Sequence, residues 1–133
     1  IDFAYAVMEG VAFLLERNIR ALNHNNMSHN RIISTGGGAK SDLWSQLKAD
    51  ITGLTVEIPA DKEAACLGAA MIGAVEGGFI ENYFSAVSKC VKIIKRFEPN
   101  PDNIYIAKRA GFDALYEGMK KTSEVLNKYN LTP

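Results

Sequence analysis

The run Ile32-Ile33-Ser34-Thr35-Gly36-Gly37-Gly38-Ala39-Lys40-Ser41-Asp42-Leu43-Trp44 constrains the fold more than any other stretch of the chain. A short apolar segment breaks into three glycines and then into a helical pattern, which reads as strand, glycine turn and helix N-terminus. Glycine has no Cβ, so the backbone can take left-handed angles here and a ligand can approach the main chain closely. The first turn of the following helix offers unpaired N–H groups and roughly half a positive charge, which together suit a phosphate. A nucleotide is the first ligand to consider. The alternative is a glycine-rich strand-to-helix turn with no ligand.

Two well-known phosphate loops fit these residues badly. A P-loop requires its last glycine directly before the lysine, and here Ala39 separates Gly38 from Lys40. The dinucleotide fingerprint G-x-G-x-x-G/A comes closer, through Gly36, Gly38 and the following helix, and Glu57 lies near the end of the next strand, where a ribose-binding acid belongs. Ser41 stands where that fingerprint has its third small residue, so an NAD(P)-binding βαβ unit is a weak match.

Composition narrows the choices further. With 133 residues, 47% of them hydrophobic, the chain can bury one core and is too short for two ordinary domains. Fifteen basic and fifteen acidic residues cancel, which argues against nucleic acid or an anionic membrane as partner. Apolar stretches are interrupted well short of the ~20 residues a membrane helix needs. Cys66 and Cys90 lack C-x-x-C spacing and fall in apolar or mixed helical patterns, so buried or half-buried free thiols in a reducing cytosol are expected. His24 and His29, in a polar run of asparagines, read as solvated loop residues, and no metal site is expected. The sequence opens on Ile1 inside a helical pattern, which suggests a piece of something longer.

Helical periodicity predicts a first helix from about Asp2 to Leu22, with Val7, Val11, Leu14, Leu15, Ile19 and Leu22 inward and Glu9, Glu16, Arg17 and Arg20 on the other side. Gly10 inside it implies a close neighbour. A buried strand over Arg31–Ser34 follows, then a helix capped by Ser41 with Leu43, Trp44, Leu47 and Ile51 inward and Asp42 favouring the dipole. Gly53 stops it, and Leu54 to Ile58 reads as a second strand ending at Pro59. An alanine- and glycine-rich helix from about Lys62 to Val75, capped by Asp61, presents a smooth surface that can lie close to a neighbour. Residues from Tyr83 to about Ile94 read as helix, with Lys89, Lys92, Lys95 and Arg96 as a solvated basic face. After Pro99 and Pro101, Tyr105, Phe112, Leu115, Met119 and Leu126 mark a long terminal helix with a packing stripe. The pattern is α/β, but two strands make a poor sheet. The remaining strands are expected upstream of Ile1 or from another copy, as in a homodimer.

Three ordered segments resemble the FGGY carbohydrate kinases. Gly36 to Val56 is similar to that family's nucleotide-site segment, Glu63-Ala64-Ala65-Cys66-Leu67-Gly68-Ala69-Ala70 resembles its E-A-x-x-L-G-A-A helix, and Ala6 to Phe13 resembles the helix before its loop. Within the family, the G-G-G-A-K-S-x-x-W-x-Q form of the loop is most like the xylulose kinases. The resemblance implies a partial ribonuclease H-like domain of the actin and sugar-kinase ATPase type, with helices packed on a mixed sheet and residues 1–133 as the later part of the C-terminal nucleotide-binding domain.

It also implies ATP and Mg²⁺ as cofactors, a sugar such as xylulose or a related ketopentose or polyol as substrate, an N-terminal kinase domain as partner, and a cytoplasmic location. Gly36, Gly37 and Gly38 match the backbone that approaches the nucleotide phosphates. Ser41 matches a position whose side chain often faces adenine, and Lys40 either reaches the ligand or serves the start of the helix. Asp50 and Glu63 are read as structural: Asp50 opposes the helix dipole and so needs a local donor. The catalytic Asp is expected before this chain, so none is assigned here and the piece alone is expected to be inactive. The non-enzymatic alternative is an actin-like assembly module whose smooth helix packs on a partner.

Overall fold

A computed structural model of the chain describes residues 2–23, 29–61, 63–101 and 104–129. Helix α1 (Asp2–Asn23) precedes strand β1 (Arg31–Ile33), a 3₁₀ turn (Gly37–Lys40), helix α2 (Asp42–Thr52) and strand β2 (Thr55–Pro59). Then come α3 (Ala64–Glu76), α4 (Tyr83–Cys90), β3 (Ile93–Phe97) and α5 (Tyr105–Lys128). β1 and β2 run parallel, with Arg31 opposite Thr55 and Ile33 opposite Glu57. Parallel neighbours cannot be joined by a tight hairpin, and α2 supplies the crossover.

The third strand corrects the sequence reading. Where one helix was expected from Tyr83 to Ile94, α4 ends at Cys90 and β3 pairs antiparallel with β2, so the sheet is mixed, in the order β1-β2-β3. The physical reason lies in Val91, Ile93 and Ile94: β-branched side chains favour extended backbone, and the free edge of β2 supplies hydrogen-bond partners. The basic run is not simply solvated. Lys95 Nζ pairs with Asp42 at 2.7 Å and Arg96 Nε with Glu57 at 2.9 Å.

Helix α2 sits at the centre. Ala49 faces the sheet with Ala39, Val56 and Ile58, while Leu47 and Ile51 pack with Ala12 and Phe13 of α1 and Tyr105 of α5. Phe13 lies edge-on to Tyr105 and stacks on Phe112, with centroids 6.1 and 5.2 Å apart. Ser41 caps α2 as expected, its Oγ accepting from the Trp44 amide at 3.2 Å, and Gly53 closes the helix in the left-handed region at φ 70°. Asp50 finds the donors it needs in Gln46 Nε2 and the backbone and side-chain amides of Asn100.

Other expectations shift. The face that α1 buries is Ala12, Phe13 and Glu16, whereas Val7, Val11, Leu14 and Leu22 are exposed and nothing crowds Gly10. Leu43 of α2 is exposed. Glu16 is retained inside by charge: Arg20 Nη2 and Arg109 Nε lie 3.2 and 3.3 Å from it, and Arg109 Nη2 also donates to the Ile51 carbonyl at 3.1 Å. A single arginine thereby ties α5 to both α1 and α2. Helix α3 begins after Glu63, with Asp61 accepting from the Glu63 amide at 2.9 Å just outside it. It contacts α4, none of its residues is buried, and Cys66 is exposed, contrary to the expectation of a covered thiol, while Cys90 is half-buried. His29 is half-buried rather than solvated, and His24 lies outside the described residues.

Candidate functional site

The loop between β1 and α2 leaves the C-terminal end of a parallel strand, the end at which open α/β sheets bind ligands. Ser34 continues the ladder one residue past β1, its amide donating to the Glu57 carbonyl at 2.9 Å. Two residues later Gly36 takes φ 70° and ψ −157°, a region that residues with a Cβ essentially do not occupy. That dihedral turns the chain into the 3₁₀ turn, where the Ala39 amide donates to the Gly36 carbonyl at 3.2 Å and Ala39 is buried against the sheet. The sequence pattern contained no signal for this extra turn ahead of α2.

The three glycines differ in their reasons for lacking a side chain. At Gly36 the backbone angle requires it. At Gly38 an added Cβ would lie 3.3 Å from Trp44 Nε1, a tight contact that the indole would have to relieve by a few tenths of an ångström. At Gly37 the backbone angle is ordinary, and an added Cβ would meet nothing within 4 Å. Gly37 is open toward the outside of the loop, and its amide and that of Gly38 head the 3₁₀ turn without an acceptor among the described residues. Exposed main-chain donors beside open space suit phosphate oxygens.

Lys40 is exposed and makes no ion pair among the described residues. Ser41 is exposed as well; capping occupies a lone pair of its hydroxyl and leaves the proton available to donate. Asp42 would repel an anion at this helix start, but Lys95 Nζ sits 2.7 and 2.8 Å from its two oxygens and offsets the charge. Gly36, Gly37, Gly38, Lys40 and Ser41 thus form one continuous segment. Among the described residues no group of His, Cys, Asp and Glu is placed to hold a metal ion.

Glu57 does not join them. It is buried on β2, with Arg31 Nη1 at 3.4 Å and Arg96 Nε at 2.9 Å. A carboxylate committed to two guanidinium groups inside the sheet is not available to a ribose, so the dinucleotide reading loses its acid.

Sequence reasoning missed the support beneath the loop. Lys48 is 6% exposed, donates from Nζ to Ser34 Oγ at 2.5 Å and lies 5.6 Å from the centre of the Trp44 ring. Burial lowers its pKa from the usual 10.5. The signal was present in the spacing: Lys48 stands four residues after Trp44 between Leu47 and Ala49, on the part of α2 that turns inward.

The chain is similar to known proteins along most of its length. The family model described as "FGGY family of carbohydrate kinases, C-terminal domain" matches residues 1–77. A xylulose kinase of Staphylococcus epidermidis is 34% identical over 128 residues, covering 94% of this chain and 26% of that protein. An autoinducer-2 kinase of Salmonella paratyphi B is 37% identical over 91 residues, covering 67% of this chain and 17% of that protein. The crystal structure of xylulose kinase from Rhodospirillum rubrum superposes with a TM-score of 0.75 at 24% identity, covering 88% of this chain and 24% of that one, and shares the fold. The chain therefore spans about a quarter or less of the length of these relatives. Among the described residues no helix is long and apolar enough to cross a membrane.

Proposed function

The chain belongs to the FGGY family of carbohydrate kinases, and we propose that it forms one wall of the ATP site of a cytoplasmic sugar kinase. In this reading residues 1–133 are the later part of the C-terminal nucleotide-binding domain. An N-terminal domain on the same polypeptide supplies the sugar site and the catalytic Asp. The acceptor is the hydroxyl of xylulose or a related ketopentose or polyol, and the phosphoryl group comes from ATP.

The observation that carries the proposal is Gly37: neither its backbone angle nor its neighbours within the chain require a glycine, and its amide, just past the end of β1, has no acceptor among the described residues. The amides of Gly37 and Gly38 would donate to phosphate oxygens, and the Gly36 angle aims them. Lys40 can add a mobile positive charge at the same edge, while Ser41 offers its hydroxyl proton toward the base. Phosphoryl transfer depends largely on positioning and charge stabilisation, so such a wall contributes without holding a reacting group. Mg²⁺ carried with the nucleotide supplies further charge neutralisation when bound. Alone, residues 1–133 lack the other wall and should transfer no phosphate.

Calorimetric titration with Mg-ADP, with NAD run in parallel on the same preparation, tests this reading. Saturable one-site binding of ADP without NAD supports it, and Gly37→Val should abolish that binding while leaving the circular dichroism spectrum unchanged. Binding of NAD alone, or ADP binding indifferent to Gly37→Val, would count against it.

A further inference from the structure

We propose that Lys48 is a positioning residue that holds both ends of the glycine loop through two different contacts. The inference deepens the nucleotide-wall reading and rests on it for its functional consequence. On the entering side, Nζ donates to Ser34 Oγ at 2.5 Å, and Ser34 is itself buried and fixed to β2 through its amide. Gly36, with its left-handed φ of 70°, lies two residues beyond. On the leaving side, the ammonium lies 5.6 Å from the centre of the Trp44 ring, whose Nε1 and Cδ1 edge forms the floor under Gly38. Ser34, Lys48, Trp44 and Gly38 therefore make a continuous bracket around the bend.

Energetics favour a specific role over incidental burial. Among the described residues no carboxylate pairs with Lys48: Glu57 is taken by Arg31 and Arg96, and Asp42 by Lys95. Burying an ammonium without a carboxylate is costly, and methionine would fill the same length of space between Leu47 and Ala49 without that cost. What methionine cannot do is donate to Ser34 or hold a cation near the indole. The ammonium sits behind the loop, where it fixes the backbone that presents the Gly37 and Gly38 amides and leaves their outer face open.

The test combines Lys48→Met, Ser34→Ala and Ser34→Thr in the full chain, with amide hydrogen exchange and Mg-ADP titration as readouts. Lys48→Met and Ser34→Ala should each speed exchange at the Ala39 amide, which donates to the Gly36 carbonyl across the bend, by roughly tenfold, as loss of one charge-assisted hydrogen bond implies, while Leu47, Ile51 and Val56 keep their protection. ADP affinity should fall by a similar factor, the double variant should be no worse than either single one, and Ser34→Thr, which keeps the hydroxyl, should restore the loop. Should Lys48→Met fail to fold, the two Ser34 variants decide. Wild-type exchange at the loop in a folded Ser34→Ala chain would overturn the proposal. Faster loop exchange in a chain whose wild type binds no ADP would leave the bracket standing and reject the nucleotide reading.

Discussion

At the residue scale, the glycines of one loop make separable predictions. Gly36→Ala forces a Cβ into a region at φ 70° and ψ −157° and should cost about 1–3 kcal/mol of stability. Gly37→Ala meets open space at an ordinary backbone angle, so it should be neutral or stabilising by up to about 1 kcal/mol. Urea denaturation of the two variants checks the contrast, and equal losses would refute the distinction. The loop's position and its capping serine were legible because glycine runs and N-caps are local chemistry. Lys48 was legible only in its spacing from Trp44 on α2; that its ammonium is buried depends on what Ser34 and Trp44 do after the strand and helix have come together. Glu57 misled for the same reason: its partners Arg31 and Arg96 meet it only across the assembled sheet.

At the scale of elements, α1, β1, α2, β2 and the terminal helix follow from periodicity and punctuation. The failures lie where two elements compete for one stretch. Helical spacing from Tyr83 continues past Cys90, but the β-branched residues beyond it and the open edge of β2 draw the chain into β3. Helix α1 carries apolar residues on more than one side, so its pattern could not say that Phe13, and not Val11 or Leu14, would meet α2. How α5 is fastened yields a pH prediction. Burial alone would raise the Asp113 pKa, but hydrogen bonds and charge from Arg20 and Arg17 outweigh it and hold it below the usual 3.8. A depressed carboxylate stabilises the fold above its unfolded pKa, and this support is lost as pH falls through the lower folded value. Because the pair is partly solvated, the loss is modest. Exchange protection at the α1–α5 contact should therefore weaken in acid, and Asp113→Asn should show the weaker protection already at neutral pH; identical acid profiles would contradict this.

At the scale of the molecule, the chain has a packed centre and unfinished margins. β1 has no strand partner on its outer edge among the described residues. Val7, Val11 and Leu14 of α1 are exposed, as are Leu115 and Met119 of α5, at 70% and 72%. The stripe on α5 packs through Tyr105 and Phe112 and then runs out of neighbours. Exposed apolar area of this extent favours association, so residues 1–133 alone should sediment with a concentration-dependent mass; a strictly monomeric, highly stable species would contradict the reading of these faces as incomplete. The helical stripes predicted a larger core than the described residues bury, in a chain that spans 26% of the length of the xylulose kinase it matches.

The central claim is that the loop after β1 presents its main chain to nucleotide phosphates. The most direct measurement is a ¹⁵N-edited amide spectrum of the chain titrated with Mg-ADP. Saturable shifts should concentrate at Gly36, Gly37, Gly38, Lys40 and Ser41, with Gly111 and Gly118 of α5 unmoved. Saturable shifts that spare the loop, or a loop that stays silent while nucleotide binds elsewhere, would contradict it.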